Sequence, residues 1–229
     1  MMKLENVVPW GRSFDEYVKM FDLTSDELKL NILDCGGGPS SFNAEMMQLG
    51  CNISGNITSC DPIYQFTVEE IQNRIQQTYS KIIAAVKETP ENFVWQDITS
   101  PDELGEVRMV AMKKFLADLS QGISQKRYVK SELPNLPFTN GKFDLALCSH
   151  LLFTYSNILS ADFHVDSIVE MRRVASEVRV FPLVTQFSGE ISPHLEAVIN
   201  QLTARGLQVE IRKVDYEFQK GGNQMLWVR

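Results

Sequence analysis

The sequence predicts an α/β protein with a doubly wound, mostly parallel sheet, helices on both faces and an antiparallel hairpin at the C-terminal end. Two observations predict this fold class. Short apolar runs alternate with segments of helical periodicity along most of the chain, and parallel strands joined by crossover helices give that alternation. At the end, Leu207–Val214 and Met225–Val228 flank the polar turn Lys220–Asn223, which predicts two strands paired as a hairpin.

Five further strands are predicted from apolar runs that are bounded by turn residues. They are Leu30–Cys35, Ile57–Cys60, Tyr128–Val129, Phe143–Cys148 and Val178–Val184. The dipeptide Asn140-Gly141 is a strong turn signal just before the fourth of them. Together with the C-terminal hairpin, these runs provide seven strands.

Helix starts are marked by capping boxes, in which a hydroxyl and a carboxylate three residues apart satisfy free backbone N–H groups. The boxes are Ser13-Phe14-Asp15-Glu16, Thr67-Val68-Glu69-Glu70 and Ser100-Pro101-Asp102-Glu103. We expect the second helix to stop before Pro90 and the third to end at Gly122. Further helices are predicted over Ser167–Ser176 and between Ser192-Pro193 and Gly206.

The domain organisation follows from these elements. Residues 1–29 are predicted to form an N-terminal helical cap, and residues 30–229 the main domain. The stretch at about 62–127 is too long for one crossover helix, so we expect a helical insertion that covers the carboxyl edge of the sheet.

The composition of the chain disfavours several classes of binding partner. The 229 residues carry a formal net charge of −7, which disfavours nucleic acid as the main partner. Cys35, Cys51, Cys60 and Cys148 form no CxxC pair, so no metal site or disulfide framework is predicted. With no apolar leader or 18-residue apolar run, we expect a cytoplasmic protein with a small-molecule substrate and no membrane partner, and leave a homodimer open.

The first strand runs into a glycine turn, Asp34-Cys35-Gly36-Gly37-Gly38, which lets a ligand approach the backbone closely. A carboxylate ahead of the turn would repel a diphosphate, so Asp34 favours a ligand with a cationic end. Asp61 follows the second strand, where its oxygens can accept hydrogen bonds from the two hydroxyls of a ribose. The pattern indicates a nucleoside ligand that carries positive charge.

Four segments in this order resemble class I S-adenosylmethionine (AdoMet)-dependent methyltransferases. They are Asp34-x-Gly36-x-Gly38, Asp61, Leu136-Pro137-Phe138-x-x-Gly141-x-Phe143-Asp144-Leu145 and Glu170-Met171-Arg172-Arg173-Val174. The resemblance covers roughly residues 30–229. It implies a Rossmann-like domain whose last strand inserts antiparallel beside the fifth, with AdoMet as cofactor and S-adenosylhomocysteine (AdoHcy) as product.

The resemblance also implies roles for individual residues. Asp34, Gly36, Gly37 and Gly38 would hold the methionine and ribose part of the cofactor, and Asp61 the ribose hydroxyls. Glu132 and Leu133 match the stretch that contacts adenine, whereas Ser149 and His150 would line the methionine moiety and the reacting methyl group. Separately, the guanidinium of Arg12 could bind a carboxylate, including that of the cofactor.

The predicted activity is direct, in-line methyl transfer to a small molecule or a small exposed group. His150 and Tyr155 are the candidate catalytic residues if the nucleophile arrives protonated. Two alternatives stay open: a nicotinamide-dependent oxidoreductase, which also needs a glycine turn and a ribose-binding acid, and a non-catalytic AdoMet-binding partner protein.

Overall fold

A computed structural model describes residues 6–50 and 57–229 of the chain. Seven strands form one sheet in the order β3-β2-β1-β4-β5-β7-β6. Strands β1 to β5 are parallel to one another, and β7 lies antiparallel between β5 and β6. The predicted fold class is confirmed. Cys51 and the first five residues lie outside the described part, so predictions on them have no structural counterpart.

Strands and α-helices alternate along the chain except at the insertion, between β3 and β4, and at the C-terminal hairpin. The strands are β1 (Ile32–Cys35), β2 (Ile57–Cys60), β3 (Tyr128–Val129), β4 (Phe143–Ser149), β5 (Ala175–Phe181), β6 (Val209–Lys213) and β7 (Gln224–Val228). The helices are α1 (Phe14–Met20), α2 (Phe42–Gln48), α3 (Val68–Glu88), α4 (Pro101–Ser124), α5 (Ala161–Val174) and α6 (Leu195–Ala204). Helices α3 and α4 are the two helices of the predicted insertion.

Several boundaries differ from the sequence prediction. Strand β5 begins at Ala175, three residues earlier than predicted, and stops at Phe181 because Pro182 has no N–H to donate. Helix α5 begins at Ala161, and its predicted last residues belong to β5. Helix α4 continues past Gly122 to Ser124. Gly122 lies against the Tyr128 ring, where a Cβ would clash, so this glycine serves packing and does not end the helix.

Two of the three capping boxes form as predicted. Ser13 with Glu16 and Thr67 with Glu70 each satisfy the N-cap and N3 backbone N–H groups reciprocally. At α4 the Ser100 hydroxyl accepts from the Glu103 N–H, but the Glu103 carboxylate accepts from the backbone N–H and hydroxyl of Thr99 instead.

Successive residues of the strands face opposite sides of the sheet, and each side is covered by its own helices. Leu33 and Cys35 belong to the apolar core shared with α5 and α6. Ile32 belongs to the core shared with α1 and α2, where Tyr17 and Phe42 stack at 4.4 Å between ring centroids. The N-terminal helix is therefore part of the core beneath the sheet's central strands.

Candidate active site

A cavity of about 630 Å³ opens at the carboxyl edge of the sheet. The glycine turn after β1, Asp61 after β2 and the residues after β4 line its floor. Residues of segment 6–12 and of helices α3 and α4 line the rest of the cavity. In open α/β sheets, ligands bind in the crevice beyond the carboxyl ends of the strands.

The glycine turn uses its own backbone donors to hold its shape. The Gly36 N–H donates to the Cys60 carbonyl at 2.9 Å, and the Gly38 N–H donates to Asp61 Oδ2 at 3.0 Å. Gly38 has φ +57°, and a Cβ built on it would meet nothing within 4 Å. The turn thus presents an open glycine surface to the cavity, while two of its N–H groups are already bonded to the protein.

Asp61 lies at the junction of the turn and β2. Besides the Gly38 N–H, its carboxylate accepts the Ile63 N–H at 2.7 Å, which caps the short 3₁₀ helix Pro62–Gln65. Burial raises the pKa of Asp61 to about 6, although both backbone hydrogen bonds oppose the rise. Each carboxylate oxygen keeps a second lone pair, so hydroxyl donors from a ligand can still bind.

Asp34 does not occupy the position expected for a direct cofactor ligand. It lies behind the turn, 1% exposed, where it accepts hydrogen bonds from the Tyr17 hydroxyl at 3.0 Å and the Ser59 hydroxyl at 3.2 Å. Strand alternation places its side chain on the α1 face of the sheet. A Cβ on Gly37 would approach Asp34 Oδ2 to 2.4 Å, so Gly37 makes room for this carboxylate. Burial raises the pKa of Asp34 to about 7.

Two arginines meet at the cavity wall. Arg108 of α4 is fully buried and pairs through Nη1 with Glu16 of α1, whose other oxygen accepts from the Tyr216 hydroxyl at 2.8 Å. Arg12 Nη1 donates to the Trp10 carbonyl at 2.7 Å. Within the described chain, Arg12 Nε and Arg108 Nε and Nη2 are buried and find no hydrogen-bond partner.

The charged groups in this cluster shift one another's pKa values. Burial alone would raise the pKa of Glu16, but the positive charges of Arg108 and Arg12 lower it to about 2. Burial and the neighbouring charge of Arg108 lower the pKa of Arg12 to about 10. The cluster therefore contains two positive charges and one negative charge at neutral pH.

Ser149 is the last residue of β4, His150 follows it, and both line the cavity. His150 adopts φ +52°, its N–H donates to the Phe181 carbonyl, and its Nδ1 lies 2.9 Å from the Ser149 hydroxyl. Burial and the charges of Arg12 and Arg108 lower the pKa of His150 well below its ordinary value. The imidazole is therefore neutral at physiological pH, and the same burial and positive charges disfavour its protonation.

Tyr155 lines the cavity but is not arranged as a base. Its hydroxyl accepts the Val8 N–H at 3.2 Å, and burial raises its pKa. A phenol in this state keeps its proton. The contact instead fastens segment 6–12 over the cavity, which differs from the catalytic role considered for Tyr155.

Glu132 and Leu133 lie outside the cavity lining. Glu132 is exposed in a tight turn where its carbonyl accepts the Asn135 N–H, and Leu133 packs into the core on the α5 face. Glu132 is still near enough to act electrostatically on Asp61. The apolar lining beside Asp61 comes from Ile63 and Phe66. The structure thus does not bring the expected adenine-contacting residues to the cavity.

Arg108, Tyr17 and Phe66 are site residues that the sequence prediction missed. Arg108 had a usable signal: it falls at helical spacing between Leu104 and Met112 in the buried face of α4, and a charge in an apolar stripe predicts a buried ion pair. Tyr17 and Phe66 carry no such signal, because aromatic residues at helix faces and turns usually serve the core.

Across residues 6–50 and 57–229, no cluster of His, Cys, Asp or Glu side chains has the arrangement needed to hold a metal ion. The same residues contain no helix that is both long and apolar enough to cross a bilayer.

The strand order, the antiparallel β7 and the cavity beside the glycine turn agree with the arrangement implied by the resemblance. The strand order and the antiparallel β7 are those of the class I, Rossmann-like methyltransferase fold. The chain is 36% identical over 229 residues to the Uncharacterized protein MJ0045 of Methanocaldococcus jannaschii, covering all of this chain and 98% of that protein. The chain belongs to the same family as MJ0045.

Comparison with solved structures finds distant similarity. A SAM dependent methyltransferase from Aquifex aeolicus shares 12% identity over 93% of this chain and 90% of its own, with a TM-score of 0.44. Magnesium protoporphyrin IX methyltransferase (ChlM) from Synechocystis PCC 6803 with bound SAH shares 14% identity over 94% of this chain and 80% of its own, with a TM-score of 0.46. No model of a known protein family matches the chain. A fold of this kind serves many functions, so the function of this chain depends on its site residues.

Proposed function

We propose that this protein is an AdoMet-dependent methyltransferase that acts on a small molecule or a small exposed group by direct in-line transfer. The observation that carries the proposal is the joint placement of the open glycine turn and Asp61 at one cavity, in a sheet with the class I strand order. Ser149 and His150 reach the same cavity from β4. When bound there, AdoMet supplies an activated methyl group on a sulfonium.

The residues present fit this cofactor. Gly38 offers open space beside the turn, and Asp61 retains lone pairs for two ribose hydroxyls. Ile63 and Phe66 provide an apolar surface next to Asp61 that suits a purine. The buried carboxyl group of Asp34 lies just behind Gly37, so its ionisation would favour a positive charge on the cavity side of the turn.

The nicotinamide alternative fits less well. A dinucleotide needs free N–H groups at the turn and at the following helix for its diphosphate. Here the Gly36 and Gly38 N–H groups are already bonded, and the Ser41 and Phe42 N–H groups at the start of α2 donate to the Arg12 carbonyl and the Ser40 hydroxyl. Two acids, Asp34 behind the turn and Asp61 beside it, would also repel the diphosphate.

For the transfer itself, positioning of the acceptor does most of the catalytic work. Neutral His150 is placed to accept a hydrogen bond from the nucleophile and so to orient it, because its lowered pKa makes it a weak base. Its ring is oriented by Ser149, and Tyr155 keeps segment 6–12 over the reacting groups so that water is excluded.

Asp61→Asn is expected to weaken AdoHcy binding roughly 100-fold, since hydrogen bonds to a charged group are worth about 1.5–3 kcal/mol each. The asparagine amide also places its NH₂ group next to one of the two backbone N–H donors, and two donors repel each other. Calorimetric titration with AdoHcy measures the loss. Asp144→Asn is the matched control, because Asp144 also accepts a backbone N–H, that of Asn31, but at the opposite edge of the sheet.

The same titration tests the function as a whole. We expect heat from AdoHcy and none from NAD with the unaltered protein. Tight binding of NAD without AdoHcy binding would replace the methyltransferase proposal with an oxidoreductase. AdoHcy binding without methyl transfer to any compound in a broad acceptor screen would favour a non-catalytic AdoMet-binding protein.

Gly38→Ala is expected to lower AdoHcy affinity about tenfold, because its methyl group would enter the cavity. Gly141→Ala is a close control: Gly141 also has positive φ, and a Cβ there also meets nothing within 4 Å. Both variants should lose about 1 kcal/mol of stability from the left-handed conformation. Equal AdoHcy affinity in the two variants would contradict the placement of the cofactor against Gly38.

A further inference from the structure

We propose that the methyl acceptor is an organic anion with an apolar body, whose negative group binds at Arg12. This inference rests on the proposed function and specifies its substrate class. The charge of the cavity is opposite in sign to that of the whole chain, which is −7.

The cavity lining is rich in positive charge. Four cationic side chains line it: Arg12, Arg74, Lys81 and Arg108. Among the described residues, Asp61 is the one carboxylate in the lining. Glu16 does not line the cavity and is paired with Arg108. A cleft lined by one sign of charge concentrates ligands of the opposite sign.

The deep part of this surface is short of hydrogen-bond acceptors. Glu16 compensates one of the two guanidinium charges, and Arg12 Nε remains buried without a partner in the described part of the chain. Holding two guanidinium groups together at a buried site is unfavourable, which is why burial and Arg108 lower the pKa of Arg12. An oxyanion at Arg12 would supply both the missing charge and the missing acceptor.

The cofactor by itself cannot neutralise the excess positive charge of the cavity. AdoMet carries an ammonium, a sulfonium and a carboxylate, so its binding adds one net positive charge to the cavity. Arg12 acts electrostatically on His150 and Tyr155, the residues at the end where the acceptor would react. By contrast, the charge that acts on Asp34 behind the glycine turn is that of Asp61. An anionic acceptor therefore complements the cofactor-bound cavity.

The rest of the acceptor is expected to be apolar. Beyond the cationic residues, the lining includes Phe93, Phe187 and Phe218, which belong to one apolar cluster with Ile82 and Val86 of α3. Arg74 and Lys81, exposed on one face of α3, lie where they can draw an anion towards the opening. Aromatic walls with a few fixed charges are typical of sites for small organic molecules.

The test uses calorimetry on protein saturated with AdoHcy and compares phenylacetate and phenyl phosphate with neutral phenylacetamide. At least one of the two anions should bind ten or more times more tightly than the amide, and the better of them identifies carboxylate or phosphate as the bound group. If both anions bind no better than the amide, the acceptor is not an anion and the proposal is overturned.

Variants at Arg12 test whether this side chain binds the anionic group of the acceptor. Arg12→Met should remove the preference for the anion, whereas Arg12→Lys should keep part of it because the charge is retained. The ratio of AdoHcy to 5′-methylthioadenosine affinity should stay within about twofold in both variants. If Arg12→Met lowers that ratio and leaves anion binding intact, Arg12 serves the cofactor carboxylate and the proposal fails. Lack of AdoHcy binding in the unaltered protein is a separate result, which would overturn the proposed function itself.

Discussion

Glu16→Gln is expected to destabilise the protein by about 3–5 kcal/mol at pH 7, the loss typical of a buried ion pair from which one partner is removed. Arg108 is 0% exposed, and within the described residues Glu16 is the one carboxylate paired with it. With glutamine at this position, two neighbouring guanidinium groups would remain charged without a counter-ion. Urea unfolding followed by circular dichroism measures the change.

Glu70→Gln is the matched control for this variant. Glu70 is the N3 residue of the same kind of capping box at α3, but it is exposed and has no buried arginine beside it. Since glutamine also forms capping boxes, this change should have an effect below about 1 kcal/mol. Adding Arg108→Met to Glu16→Gln should restore much of the lost stability. Equal effects of Glu16→Gln and Glu70→Gln would show that the buried pair contributes nothing beyond the cap.

The pH dependence follows from the same pair. Because the folded-state pKa of Glu16 is lowered to about 2, its contribution is fully present above the unfolded value of 4.5. It is lost as pH falls from 4.5 towards 2. The unaltered protein should lose stability in this window, and Glu16→Gln should show a smaller loss there.

Asp34→Asn is expected to stabilise the cofactor-free protein at pH 8 by roughly 3 kcal/mol. Burial raises the pKa of Asp34 from 3.8 to about 7, so the folded state binds a proton that the unfolded state has released. Stability from this group therefore falls as pH rises from about 4 to about 7. At about 1.4 kcal/mol per pKa unit the full penalty is about 4 kcal/mol, of which the weaker contact of an amide with Ser59 would offset about 1 kcal/mol.

Thermal unfolding at pH 5 and pH 8 checks this prediction. The midpoint should rise by about 6–12 °C at pH 8 and much less at pH 5, where Asp34 is already protonated. Asp144→Asn, at the opposite edge of the sheet, controls for the amide substitution. If Asp34→Asn leaves the midpoint unchanged at pH 8, the carboxylate is fully stabilised by Tyr17 and Ser59, and its raised pKa is contradicted.

Local sequence patterns were sufficient to predict the fold. Apolar runs bounded by turns predicted all seven strands, although β1 and β6 begin two residues later than predicted and β5 begins three residues earlier. Capping boxes located the first residue of α1, α3 and α4, because the groups that satisfy a helix start lie within four residues of one another. The glycine turn and Asp61 reached the predicted cavity, since the carboxyl ends of neighbouring parallel strands meet at one edge.

The chemistry of the site was less predictable. Sequence spacing cannot show that Asp34 faces α1 rather than the cavity, or that Tyr155 bonds to Val8, 147 residues away. The same holds for Glu132, which follows β3 as the resemblance suggests but remains in an exposed turn. Which side chains share a buried volume depends on how distant segments pack.

The sequence alone thus determined the α/β alternation, the C-terminal hairpin and the position of the ligand-binding edge, because each depends on residues that are near neighbours in the chain. Only the tertiary structure decided the charge of the cavity and the proton affinities of its groups. Arg108 and Glu16 are 92 residues apart in the chain, and their pairing beside Arg12 and His150 exists only after α4 has packed against α1. Electrostatic energies depend on distance and burial, and both are properties of the folded chain.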